Sequence, residues 1–152
     1  MSIHVNNHAP NDNLVDSVDS LGSFVILRKA LDVAGLSAML SDVGPYTLFA
    51  PNDRAFAKLP KGTVEDWLRP ENHDELLAVL KYHIFPGLAS SADVGTMSHP
   101  RMLQGQSAVI TKEGDKIRID GANLIGVDIV SSNGVIHMID TVMQPIEPST
   151  WH

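Results

Sequence analysis

Asn133-Gly134-Val135-Ile136-His137-Met138-Ile139-Asp140-Thr141-Val142, closed by Pro145, is the stretch that decides the fold. A turn signal runs straight into a nearly unbroken β-branched and apolar run, the pattern of a strand buried on both faces. Asn-Gly is a strong short hairpin signal because both residues tolerate φ > 0, so Ile129-Val130 and Val135-Ile136 are expected as antiparallel partners. His137 and Asp140 interrupt the run. A buried imidazole or carboxylate needs hydrogen-bond partners, so another segment must bring polar groups to this strand.

Working outward, the best source is Tyr46-Thr47-Leu48-Phe49-Ala50-Pro51-Asn52-Asp53-Arg54-Ala55-Phe56. Residues 47–50 predict a short strand, Pro51 ends it as a central strand, and Asn52 or Asp53 can cap a short helix that buries Phe56 and Leu59. Between the two boxes lie Leu80-Lys81-Tyr82-His83-Ile84-Phe85-Pro86-Gly87 and Leu103-Gln104-Gly105. These four blocks, in this order, resemble the successive signature blocks of a fasciclin-like domain of the fasciclin I and beta-Ig-H3 family, single-domain and bacterial in type. The resemblance covers residues 14–145. It implies an α+β, wedge-shaped fold in which N-terminal helices pack on an antiparallel β-sandwich and the first box pairs centrally with the last strand. By the same resemblance Thr47, Phe49, Pro51, Asn52, Asp53, Phe56, Gly105, Asn133, Gly134, His137 and Asp140 are structural signature residues.

Length and composition fit one compact unit: residues 1–13 as a disordered polar tail, 14–147 as a single domain, 148–152 as a C-terminal tail. A chain of 152 residues can bury roughly two-thirds of its unfolded surface, so no metal or disulfide is required. With no cysteine, thiol catalysis and thiolate metal sites are excluded. A net charge of −7 without a Lys/Arg cluster argues against nucleic acid as a partner. No stretch approaches the roughly 18 to 20 apolar residues of a membrane span, so no membrane insertion is expected. The opening residues lack the basic and apolar regions of a secretory leader. Fasciclin-like domains nonetheless imply an extracellular, periplasmic or cell-surface location. No Asn-x-Ser/Thr acceptor occurs, which argues against a glycosylated eukaryotic surface protein.

Helical periodicity dominates the first half. Leu14, Val18 and Leu21 share one helix face, Gly22-Ser23 breaks it, and residues 24–34 place Phe24, Leu27, Leu31 and Ala34 inward before Gly35. A short helix follows, capped by Ser37. Thr63-x-x-Asp66 and Asn72-x-x-Glu75 read as capping boxes, the second opening a helix that runs to His83 with Leu76, Leu80 and His83, beside Leu77 and Ile84, as its inward stripe, and that stops at Phe85-Pro86-Gly87. In that last turn His83 reads as a structural histidine bonded to free carbonyls. The tripeptide Leu31-Asp32-Val33 matches an integrin-recognition motif but lies on an amphipathic helix with Leu31 inward. From residue 88 the pattern changes: 89–94 read as an extended connection, and 101–104, 107–112, 116–120, 124–130 and 135–142 as strands, with turns at 113–115 and 131–134.

No catalytic, cofactor or metal signature emerges. Gly105-Gln106-Ser107-Ala108-Val109 lacks the closing glycine of a nucleophile elbow, and the seven histidines show no paired ligand spacing. His137 and Asp140 stand three apart on a strand, on opposite faces, which separates them as triad members. The expected function is therefore a non-enzymatic adhesion or protein-interaction module acting through its surface, as a monomer or weak oligomer. Its expected partner is a cell-surface or matrix protein or glycan. The alternative is a soluble carrier of a small apolar ligand or glycan. The resemblance assigns partner attachment to the Tyr-His box, here Tyr82, His83, Ile84 and Phe85, while Gly126-Val127-Asp128-Ile129-Val130 departs from the acidic motif of the animal members.

Overall fold

The computed structural model describes residues 13–41, 45–114 and 116–143; the expected terminal tails, and Pro145, lie outside the described residues apart from Asn13. Helices α1 (Leu14–Leu21) and α2 (Val25–Ala34) form as their apolar spacing predicts and end at Gly22 and Gly35, both left-handed. Short helices α3 (Ser37–Ser41), α4 (Asp53–Ala57) and α5 (Thr63–Trp67) follow, then a 3-10 turn (Pro70–Asn72), α6 (His73–Lys81) and α7 (Ser91–Val94).

Capping follows the tertiary structure more than the local motifs. Asn52 caps α4 by accepting from the Ala55 N–H at 2.8 Å. Neither expected capping box forms: α5 starts from Gly62 without a side-chain cap, and the Asn72 amide donates to the Asp66 carbonyl instead. Ser37 lies inside α3 and does not cap it. The box that does form is Ser90 with Asp93, which turns the expected extended connection into α7.

The strands make one six-stranded sheet ordered β2 (Ile84–Pro86), β1 (Tyr46–Pro51), β6 (Gly134–Ile139), β5 (Ala122–Ser131), β4 (Lys116–Ile119), β3 (Ile110–Glu113). This corrects the expected antiparallel sandwich in two ways. The sheet is continuous, and its central pair β1 and β6 is parallel, with Thr47 opposite Val135 and Phe49 opposite His137. The expected hairpin register is observed, Ile129 facing Ile136 and Val130 facing Val135. Phe85 and Pro86, read from sequence as part of a helix stop, join Ile84 in the edge strand β2 against β1. Residues 101–104 are no strand; only an isolated bridge joins Arg101 to Ser107, around the positive-φ turn at Gly105.

β1 is buried on both faces and divides the core. Leu48 and Ala50 join the helices in one cluster, with Ile84, Ile136 and Trp67. Phe49 joins a second cluster with Tyr82, Met102, Ile110 from β3 and Ile119 from β4. For β3 and β4 to reach Phe49, the sheet must curl back on itself. Two register shifts in β5, between Leu124 and Gly126 and between Gly126 and Ile129, supply the bend.

Asn133-Gly134 serves a purpose other than a hairpin with positive φ, since neither residue takes one. A Cβ on Gly134 would lie 2.0 Å from the Tyr46 carbonyl oxygen, so glycine is required for β1 to approach β6. The Asn133 side chain accepts from the Leu14 N–H at 2.9 Å and donates to the Leu40 carbonyl at 2.7 Å, fastening α1 and α3 to the turn. The turn with two positive φ angles is Asp120-Gly121, at 52° and 83°, which joins β4 to β5.

Candidate functional site

Tyr82, His83 and Ile84, expected to meet a partner, are 3 %, 1 % and 0 % exposed; of that box only Phe85 is partly open. The reason is position. Tyr82 caps the C-terminus of α6 and the chain then enters β2, so these side chains point into the two core clusters. The Tyr82 hydroxyl donates to the Asp120 carboxylate, and Asp120 also accepts from the Val109 N–H at 2.8 Å. Burial and that carboxylate push the phenol well above its ordinary pKa. The imidazole of His83 accepts from the Met143 N–H through Nε2 at 2.9 Å, so Nδ1 carries the proton and donates to the Val79 carbonyl at 2.8 Å. Burial lowers its pKa to about 4.

His137 is 0 % exposed and is wired in the opposite tautomer. Its Nδ1 accepts from the Asp128 N–H at 3.1 Å, which leaves Nε2–H to donate to the Ala89 carbonyl at 2.8 Å. Burial lowers this pKa as well. Asp140 is half-buried on the other side of the strand end and accepts from the Asn123 N–H and side-chain amide, each at 2.9 Å. The two polar interruptions of the last strand thus bond to main chain and lie apart, as their spacing implies.

The remaining signature residues hold the frame. Thr47 bridges the Gly87 carbonyl and the Ala89 N–H, both at 2.8 Å. Asp53 reaches back to α2, accepting from the Val25 and Ile26 N–H groups at 3.3 and 2.9 Å. Sequence reasoning offered Asp53 only as a cap for its own helix. The α2 N-terminus has no capping side chain at Phe24, and that deficit is the signal that a distant carboxylate was needed.

Sequence reasoning missed the cluster around Asp128. This residue sits in the β5 bulge with φ 58°, a conformation open to Asp and Asn more than to other side chains. Its carboxylate accepts from the Ser91 N–H at 2.8 Å and the Ser91 hydroxyl at 2.6 Å, bonds that hold its pKa low. Serine, carboxylate and histidine therefore meet, but without the wiring of a hydrolytic triad. The serine hydroxyl is spent on the carboxylate, and both ring nitrogens of His137 are spent on main chain. Among the described residues no group of three metal-ligating side chains gathers.

Beside Asp128 lies an open groove of about 770 Å3. Pro45, Leu88, Val130 and Val135 line it with apolar side chains, Ser90 and Asp128 with polar ones, and Ser41 at the end of α3 and the β5–β6 turn contribute the rest. Leu88 and Val130 are 62 % and 58 % exposed, high values for large aliphatic side chains beside one another's groove.

The fasciclin domain family model matches residues 22–145, spanning the four signature blocks. The chain belongs to the fasciclin domain family. It is similar to protein sll1483 of Synechocystis sp., 42 % identical over 123 residues that make up 81 % of this chain and 68 % of that protein. It is also similar to the transforming growth factor-beta-induced protein ig-h3 of Sus scrofa, 32 % identical over 136 residues. There the match spans 90 % of this chain and one-fifth (20 %) of the relative. Among solved structures, the FAS1 domain pair of the insect cell adhesion molecule fasciclin I superposes with a TM-score of 0.68 over 90 % of this chain and 52 % of that one. At 16 % identity that likeness establishes the fold. In this fasciclin domain, among the described residues, no helix is long and apolar enough to cross a membrane.

Proposed function

We propose that this fasciclin domain is a non-enzymatic adhesion or protein-interaction module whose partner meets the groove face instead of the Tyr-His box. The observation that carries the reading is the pair Leu88 and Val130, both largely exposed at one groove. Exposed aliphatic side chains gathered in one place mark recognition surfaces in soluble domains. The partner is a cell-surface or matrix protein or glycan, met in an extracellular, periplasmic or cell-surface setting. The fasciclin I relative, described as an insect cell adhesion molecule, supports this reading. The two imidazoles fully engaged by main chain support a non-enzymatic role.

The test is attachment of coated protein to cells and to matrix extracts. The double variant Leu88→Ser/Val130→Ser should lose attachment while its thermal midpoint stays near that of the parent. Retained attachment by that variant refutes the groove face. A second reading, a soluble carrier of a small apolar ligand or glycan, is favoured by the groove's size, which falls within the range of about 300 to 1,000 Å3 common for ligand sites. A ligand at about 100 times its Kd adds roughly 2.7 kcal/mol of stability, so a thermal-shift screen separates carrier from module.

A further inference from the structure

We propose that the groove selects an organic ammonium amphiphile, an apolar body carrying one cationic nitrogen, with Asp128 as the counter-charge and Leu88 and Val130 as the apolar contacts. The proposal rests on the carrier reading of the groove, and it adds the chemistry of what binds there.

Charge is the first observation. Among the described residues, the groove lining contains one carboxylate and no lysine, arginine or histidine. Among the described residues Asp128 takes part in no ion pair; its oxygens accept only from Ser91. Those bonds come from neutral donors, so they orient the carboxylate and favour its ionised form without cancelling its charge. The overall charge of −7 adds a field that draws cations and repels anions.

Rigidity is the second. The backbone of Asp128 is fixed in a left-handed bulge by its N–H bond to the buried His137 imidazole, and its side chain is fixed by the first turn of α7. A ligand therefore meets a carboxylate already placed, and little side-chain freedom is lost on binding. The apolar wall is the third. Pro45, Leu88 and Val130 offer hydrocarbon contact beside that charge, which a hydrophilic cation cannot use and an uncharged lipid cannot complement.

The experiment titrates the full chain with decylammonium, decanol and decanoate, each below its aggregation threshold, by calorimetry. Decylammonium is expected to bind at least fivefold more tightly than decanol, with decanoate weakest, and the preference is expected to shrink as salt rises. Asp128→Asn keeps the shape and tolerates the left-handed backbone, and it should bring decylammonium down to the level of decanol. Leu88→Lys, at an exposed position, supplies an ammonium of the chain's own and should abolish the preference with the fold intact. Equal affinity for the three probes, no binding of any, or a preference that survives both variants overturns the proposal. Loss of cell attachment in the double serine variant together with no amine preference would leave the interaction module standing and remove only this chemistry.

Discussion

β6 and β5 lie side by side in the sheet and read almost alike in sequence, yet one is sealed and the other half open. β6 pairs with β1 from Gly134 to Ile139 and with β5 on its other edge, and only Met138 keeps part of its surface. β5 is flanked beyond β6 only at Ala122 and Asn123 among the described residues, and Ile125, Val127 and Val130 stand 43 to 58 % exposed. Hydrophobicity does not separate Leu124-Ile125-Gly126-Val127-Asp128-Ile129-Val130 from Val135-Ile136-His137-Met138-Ile139. The difference goes with Gly126 and Asp128, where the register breaks and the strand twists. The sealed strand organises the fold, and the open one keeps aliphatic side chains at the surface.

The sharpest way to break this contrast is Gly134→Ala. Its Cβ meets the Tyr46 carbonyl, which cannot move without parting β1 from β6, so a loss of about 3 kcal/mol or more is expected in urea denaturation. A loss below about 1 kcal/mol would mean the central pair is looser than described. Acid is the next probe. The folded pKa of His83 is depressed, so protons bind the unfolded chain more tightly, and stability present above pH 6.5 is lost as pH falls from 6.5 towards 4. His83 alone accounts for about 3 kcal/mol over that window, with His137 acting in the same direction. Urea midpoints measured against pH should slope accordingly, and a flat profile would refute two neutral interior imidazoles.

Tyr82→Phe removes one bond to the β4–β5 turn and should cost about 1 to 2 kcal/mol, most visible as faster amide exchange at Val109 and Asp120. Ile125→Thr and Val127→Thr on the open strand should change stability by no more than about 0.5 kcal/mol. A large loss at either position would mean that edge is covered and the comparison with β6 fails.

Much of this was legible beforehand, and the exceptions share a cause. The stripes of α1 and α2, the pairing of residues 47–50 with the strand of His137, and the hairpin register all follow from periodicity and from box order. His83 and Ile84 were legible as inward from the stripe they share with Leu76 and Leu80, whereas the partner role that the resemblance gave the whole box conflicts with that burial. Capping boxes misled at Thr63 and Asn72 and were overlooked at Ser90, since the same four-residue pattern is common and only tertiary geometry decides whether it closes. Asp120-Gly121 was passed over as a turn in favour of Asn133-Gly134, although it is the pair with both φ angles positive. The groove left no trace in sequence, because it is assembled from Pro45, Leu88 and the β5–β6 turn, which are far apart along the chain.

The bond from the Leu14 N–H to the Asn133 side chain spans 119 positions and has a consequence for how the protein is made. While the polypeptide is still emerging from the ribosome, its opening helix has neither this anchor nor the strand on which it packs. The domain therefore completes its structure only after translation has passed residue 133, and until then the apolar face of its opening helix is without the strand it packs on.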